Sequence, residues 1–167
     1  KDTLKILFPM SKIYSLFIVF LLPCICLAQN YKIKKNNFFN KLTKEERRII
    51  VNKGTERKWS GKYNNHSKTG VYVCKACNNP LFKSSHKFNS KCGWPSFDDE
   101  IKGSIVRVPD YSYGMNRTEI ICSNCKGHLG HVFEGERYTD KNVRHCVNSI
   151  SLVFIDIETF LRIKANP

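Results

Sequence analysis

Two Cys-x-x-Cys pairs, Cys74-Lys75-Ala76-Cys77 and Cys122-Ser123-Asn124-Cys125, constrain this 167-residue chain more than any other feature, and 44 residues (78–121) separate them. A tight turn with sulfurs at i and i+3 aims both thiolates at one ion, and two such turns complete a tetrahedral four-cysteine site. Four thiolates leave no open coordination position. Zinc held this way is structural, and it ties two distant hairpins of a small domain together. Disulfides or a dithiol redox pair are the alternatives for these cysteines. The spacing favours the metal.

The length suits one compact domain plus a leader, and eleven Phe with seven Tyr supply a real core. The net charge of +14 is unevenly placed, because residues 1–41 carry many lysines and one acid, Asp2. Zinc-bound thiolates would lower the domain's charge further, by about 2. A nucleic-acid face therefore has no support, and none is expected as a partner. Met10 is the first methionine, so residues 1–9 read as upstream sequence. Lys12, the apolar run Ile13–Leu27 and Cys26-Leu27-Ala28 follow in the layout of a secretory signal peptide cleaved after Ala28. The run is shorter than the roughly 20 residues of a spanning helix and contains Pro23. Membrane attachment is thus expected only through an uncleaved leader. Residues 29–41 (QNYKIKKNNFFNK) read as a basic linker or as the second half of a bipartite leader for a secondary plastid. Entry to the secretory pathway is the expectation, with secretion, the ER and a plastid left open. The domain is expected over residues 42–160, with a tail at 161–167.

Thr43-Lys44-Glu45-Glu46 is a capping box, and it predicts a helix over Lys44–Asn52 with Gly54 as its stop. Beyond it, short β-branched and aromatic runs predict strands over Gly70–Cys74, Ser104–Val108, Thr118–Cys122, His131–Glu134 and Ser149–Ile157. The fold class is mainly β and antiparallel, with a short helical N-terminal arm.

Cys24 and Cys26 belong to the leader, which leaves Cys92 and Cys146 outside the paired spacing. Cys146 lies in Arg144-His145-Cys146, where a cation and an imidazole adjacent in sequence would lower a thiol pKa. Cys92 lies in a loop, Lys91-Cys92-Gly93-Trp94-Pro95-Ser96-Phe97, with a large aromatic. A buried structural cysteine is the plainer reading of each, and His128 and His131 taken alone could be ordinary strand residues. Asn65-His66-Ser67 and Asn116-Arg117-Thr118 are glycosylation sequons, read as chance occurrences.

Nine strings in order carry a resemblance: Gly54-Thr55-Glu56, Gly61-Lys62-Tyr63, Cys74-x-x-Cys77, Pro80-Leu81-Phe82, Cys92 to Phe97, Gly114-Met115-x-Arg117-Thr118-Glu119, Cys122-x-x-Cys125, His128 to Phe133 and Cys146-x-Asn148-Ser149. From about Leu42 to Asp156 the chain resembles the B-type methionine sulfoxide reductases. The resemblance implies two antiparallel sheets and one structural zinc on Cys74, Cys77, Cys122 and Cys125. It implies Cys146 as catalytic thiol and Cys92 as resolving thiol. His128, His131 and Asn148 would surround the substrate oxygen, Trp94 would hold the substrate methyl, and Arg117 is a further substrate-site candidate. The implied reaction reduces methionine-R-sulfoxide, usually protein-bound. Cys146 attacks sulfur, a histidine protonates oxygen, and the resulting sulfenic acid condenses with Cys92 to a disulfide that thioredoxin or a similar dithiol protein reopens. A monomer is expected. Three residues depart from the family pattern: His145 replaces Phe or Tyr, Lys91 replaces Gly, and Trp59 replaces a smaller aromatic or another residue, a change read as structural. The rival readings are a non-catalytic zinc-ribbon binding module, which gives Cys92, Cys146 and the histidines no role, and a secreted disulfide framework.

Overall fold

The computed structural model describes residues 38–166. The leader, its cleavage signal, Cys24, Cys26 and most of the 29–41 segment lie outside the described residues. No helix among the described residues is long and apolar enough to cross a membrane.

Helix α1 (Lys44–Ile50) starts on the predicted box: Thr43 Oγ1 accepts from Glu46 N at 3.2 Å, and Glu46 accepts from Thr43 N at 2.8 Å. It ends earlier than predicted, because Lys53, not Gly54, takes the left-handed backbone (φ 55°), and Gly54 N donates to Arg48 O. Nine strands follow: β1 (Gly70–Cys74), β2 (Pro80–Lys83), β3 (Lys87–Phe88), β4 (Ser96–Phe97), β5 (Ile105–Asp110), β6 (Arg117–Cys122), β7 (His128–Glu134), β8 (Val143–Val147) and β9 (Leu152–Asp156). All pairings are antiparallel, in one sheet ordered β2-β1-β9 and another ordered β3-β4-β8-β7-β6-β5. The fold is mainly β with two antiparallel sheets, as expected. The predicted last strand is shorter than expected, and its end becomes helix α2 (Ile157–Ala165), N-capped by Asp156. That helix crosses the expected domain boundary at residue 160.

The core is an aromatic layer between the sheets: Phe82 stacks on Phe97 at 4.4 Å, and Tyr72 meets Phe97 edge-on at 5.1 Å. All three are fully buried, along with Leu81, Ile120 and Leu129. Such burial contributes about 1.5–3 kcal/mol per large side chain. The outer face of the six-stranded sheet is left for polar residues.

The two Cys-x-x-Cys turns are built alike. Asn78 N donates to Cys74 O and Lys126 N to Cys122 O, with Asn78 and Lys126 in the left-handed region (φ 59° and 63°). Cys74 ends β1 in one sheet and Cys122 ends β6 in the other. Their four sulfurs lie within 4.8 Å of one another, with Cys74–Cys125 and Cys77–Cys122 both at 3.6 Å. Tetrahedral bonds of ~2.3 Å to one ion would place sulfurs ~3.8 Å apart. Gly127 N and Asn79 Nδ2 point at Cys125 and Cys122 sulfur, which suits thiolates. This cluster could hold a metal ion.

Candidate active site

Strand pairing places the second pair of cysteines. Cys146 on β8 lies directly opposite Ser96 of β4 on one side and His131 of β7 on the other. Residues opposed across an antiparallel ladder share a face, so Cys146, His131 and Glu119, which opposes His131, share one row. Arg144, two residues before Cys146, shares that face. His145 is on the other, fully buried, with Nδ1 3.1 Å from Phe97 O and Nε2 3.0 Å from Glu100. The expectation that its imidazole lowers the Cys146 pKa is therefore overturned, because strand alternation turns adjacent residues apart. Burial holds the His145 pKa below its ordinary value.

A cavity of about 140 Å³ opens over Cys146, lined by Thr55, Trp94, Arg117, His131, Phe133 and Asn148 among others. The Trp94 indole is held by its Nε1–H, which donates to Glu56 O at 3.1 Å. His131 Nε2 is 2.7 Å from Asp110 Oδ2, and Arg117 Nη2 donates to the same oxygen at 2.7 Å. Asp110 thus fixes two cavity residues at once. Hydrogen bonds from Ser112 first, with His131 and Arg117 adding to them, hold its carboxyl well below the usual range.

His128 does not line this cavity. A bulge explains its position: Ile120 pairs with Gly130 and Ile121 with His128, which leaves Leu129 as the extra residue. Histidines three apart in a regular strand would face opposite ways. The bulge restores one face, and the two rings lie 5.7 Å apart. His128 is buried behind His131, with Nδ1 2.7 Å from Glu119 Oε1, while Lys53 donates to Oε2 of that carboxylate at 2.8 Å. Burial lowers the His128 pKa despite Glu119. Of the two imidazoles, His131 is the one that lines the cavity over Cys146. Gly130 is required here, because a Cβ on it would collide with the Cys146 carbonyl oxygen.

Asn148 touches the cavity, but its amide ties chain segments together: Oδ1 accepts from Glu56 N at 3.0 Å and Nδ2 donates to Leu129 O at 3.2 Å. The buried Glu56 carboxylate accepts from Ser149 N and Ile150 N just after it. Sequence reasoning misses Asp110, Glu119, Glu56 and Phe133 as site residues. Glu56, Glu119 and Phe133 occur in the quoted strings, but only the folded chain brings them to the site.

Cys92 Sγ lies 3.8 Å from Cys146 Sγ. A disulfide needs ~2.05 Å, so the two stand here as a close pair of free cysteines. The contact with Cys146 first, then the Ser90 and Ser96 hydroxyls, lowers the Cys92 pKa to about 4. The same contact and burial push the Cys146 thiol up, and Arg144 opposes them. Arg144 is itself clamped by Glu136 through two bonds of 2.7 and 2.8 Å. A thiolate fraction rises as pH passes the pKa. A limiting dose of iodoacetamide at about pH 6 is therefore expected to label Cys92 before Cys146. Cys92→Ser removes the largest influence raising Cys146, and its alkylation should move to lower pH. Peptide mapping checks both, and Cys146 labelled first in the native protein contradicts the ordering.

The departures noted in the sequence also resolve. Lys91 takes φ 55°, the left-handed region that favours glycine. Lys91→Gly is expected to raise stability by about 0.5–1 kcal/mol, the left-handed penalty less glycine's entropic cost, read as a higher urea midpoint. A lower midpoint would mean that the lysine side chain supports the loop. Trp59, read as structural, is 57% exposed instead.

A family model described as the SelR domain matches residues 42–156. The chain belongs to this family, the B-type methionine sulfoxide reductases. A protein of Teredinibacter turnerae named peptide methionine sulfoxide reductase MsrB is 48% identical over 128 residues, 75% of this chain and 93% of that one. One of the same name from Pseudomonas savastanoi pv. phaseolicola is 54% identical over 102 residues, 60% of this chain and 76% of that protein. Peptide methionine sulfoxide reductase B3 of Arabidopsis thaliana is 52% identical over 114 residues, 68% of this chain and 64% of that protein. The matched residues take in both the four-cysteine cluster and the Cys146 cavity.

Proposed function

We propose that this B-type reductase converts methionine-R-sulfoxide, held in a polypeptide, to methionine by thiol chemistry at Cys146. The observation that carries the reading is the placement of Cys146 Sγ opposite His131 and 3.8 Å from Cys92 Sγ, under the Trp94 wall. A sulfoxide needs a soft nucleophile at sulfur and an acid at oxygen. Cys146 attacks the sulfur as its thiolate, the form that the Arg144 cation favours against burial and the Cys92 contact, and His131, held by Asp110, delivers a proton to the oxygen. Methionine leaves and Cys146 carries the oxygen as a sulfenic acid. Cys92 then attacks that sulfur, water departs, and a Cys92–Cys146 disulfide remains for an external dithiol such as thioredoxin to reopen. Trp94 faces the S-methyl, and with the oxygen fixed at His131 one epimer fits. Cys74, Cys77, Cys122 and Cys125 would hold a zinc ion, which supplies a structural crosslink and no step of the reaction.

An epimer-resolved assay on dabsylated methionine sulfoxide with dithiothreitol tests this. The R epimer should disappear and the S epimer persist. Equal loss of both, or loss of neither, sinks the proposal. We further propose that residues 1–41 direct the domain into the secretory pathway; a reporter fused to them that stays in the cytosol contradicts it.

A further inference from the structure

Beside the resolving cysteine lies a surface that the proposed chemistry leaves unused. Trp59 is 57% exposed, and its left-handed backbone (φ 68°) is pinned to the Cys92 loop by Trp59 N donating to Gly93 O at 2.9 Å. Lys58 lies across Gly93, where an added Cβ would strike its Cγ, and its Nζ stands 5.7 Å from the Trp59 ring. Arg57, Lys58, Lys62 and Lys91 are all exposed. Among the described residues none of the four has an acid within ion-pair distance. An exposed indole with an uncompensated ammonium over its ring, pinned two residues from the exposed Lys91, is built for contact rather than for the core. Trp59 is absent from the lining of the Cys146 cavity and borders the Cys92 loop instead.

We infer that Trp59, Lys58 and Lys91 form the docking surface for an acidic-faced dithiol protein that reopens the Cys92–Cys146 disulfide. The inference rests on the disulfide of the proposed function. Cys92, half-buried and next to this surface, is the sulfur attacked. A thiolate of the partner forms a mixed disulfide with Cys92 as the Cys92–Cys146 bond breaks, and Cys146 leaves as a thiolate beside Arg144. The partner's second thiol loses its proton and attacks its own sulfur in the mixed disulfide, and Cys92 leaves. The partner is oxidised by two electrons to its disulfide, and both electrons with the two protons end on Cys92 and Cys146.

The test is steady-state reduction of an oxidised peptide by the full chain, driven either by a thioredoxin or by dithiothreitol. Trp59→Ala should raise the KM for thioredoxin about tenfold and leave the dithiothreitol-driven rate within about twofold. Lys58→Glu should raise the same KM at low salt and flatten its dependence on ionic strength. An unchanged thioredoxin KM in both variants overturns the docking surface. So does an equal fall with both reductants, which makes Trp59 a prop for the loop, or a rise confined to the peptide KM, which makes it a substrate contact. If the unaltered chain shows no dithiothreitol-driven reduction, the reductase reading falls first and the docking surface with it.

Discussion

Cys146→Ser is expected to lose sulfoxide reduction by at least ~10³-fold with thioredoxin and dithiothreitol alike, because an alcohol oxygen is a far weaker and less ionised nucleophile than a thiolate. The variant keeps the β8 pairing to His131 and Ser96, so substrate should still bind. Cys92→Ser separates the two sulfurs. It should complete one turnover without reductant, and a mass spectrum should then show one added oxygen on Cys146. It should cycle with dithiothreitol, which reaches the sulfenic acid directly, and cycle poorly with thioredoxin, which needs the disulfide. Full thioredoxin-linked activity in the Cys92 variant overturns the resolving role. A stable Cys92–Cys146 crosslink that no dithiol opens overturns the whole cycle.

Cys122→Ser is expected to abolish stoichiometric zinc and to lower the thermal midpoint by at least ~10 °C. Cys74 and Cys122 close strands of different sheets, so an ion held there would join halves that otherwise meet through the aromatic layer. Structural zinc sites bind with an apparent ~10–16 kcal/mol, comparable to the ~5–15 kcal/mol that holds a whole domain folded. Elemental analysis with unfolding scans, before and after a chelator, reads both effects. Cys146→Ser, which leaves the knuckles intact, should keep its metal and its midpoint. A chelated protein with an unmoved midpoint would show that the sheets hold together without the ion.

The knuckles, the capping box, β1 and the mainly β class are legible because each depends on neighbours a few residues apart. The Cys92 and Cys146 roles are readable only through a resemblance to a family. What escapes depends on which way a side chain faces. His145 reads as a partner of Cys146 because the two are adjacent, yet a strand turns them to opposite sides. β8 itself is hidden, since Val143-Arg144-His145-Cys146-Val147 carries no simple alternation. Its inner face holds a histidine and its outer face an arginine. Trp59 reads as a packing residue by type, although a large apolar side chain says nothing by itself about exposure. Asp110 gives no signal, because two of its partners, Arg117 and His131, come to it only across the β5–β6–β7 ladder.

The extra residue in β7 has a bearing on how this sequence can vary in length. Deleting Leu129 would turn the strand regular and leave the two histidines two apart on one face, but it would remove a fully buried side chain from the layer between the sheets and the carbonyl oxygen that accepts from both Asn148 N and Asn148 Nδ2. Loops such as the one at Gly103, with open space around it, can gain or lose residues with little consequence. The strand carrying both imidazoles cannot, and single-codon gaps tolerated there would be incompatible with the geometry of the site.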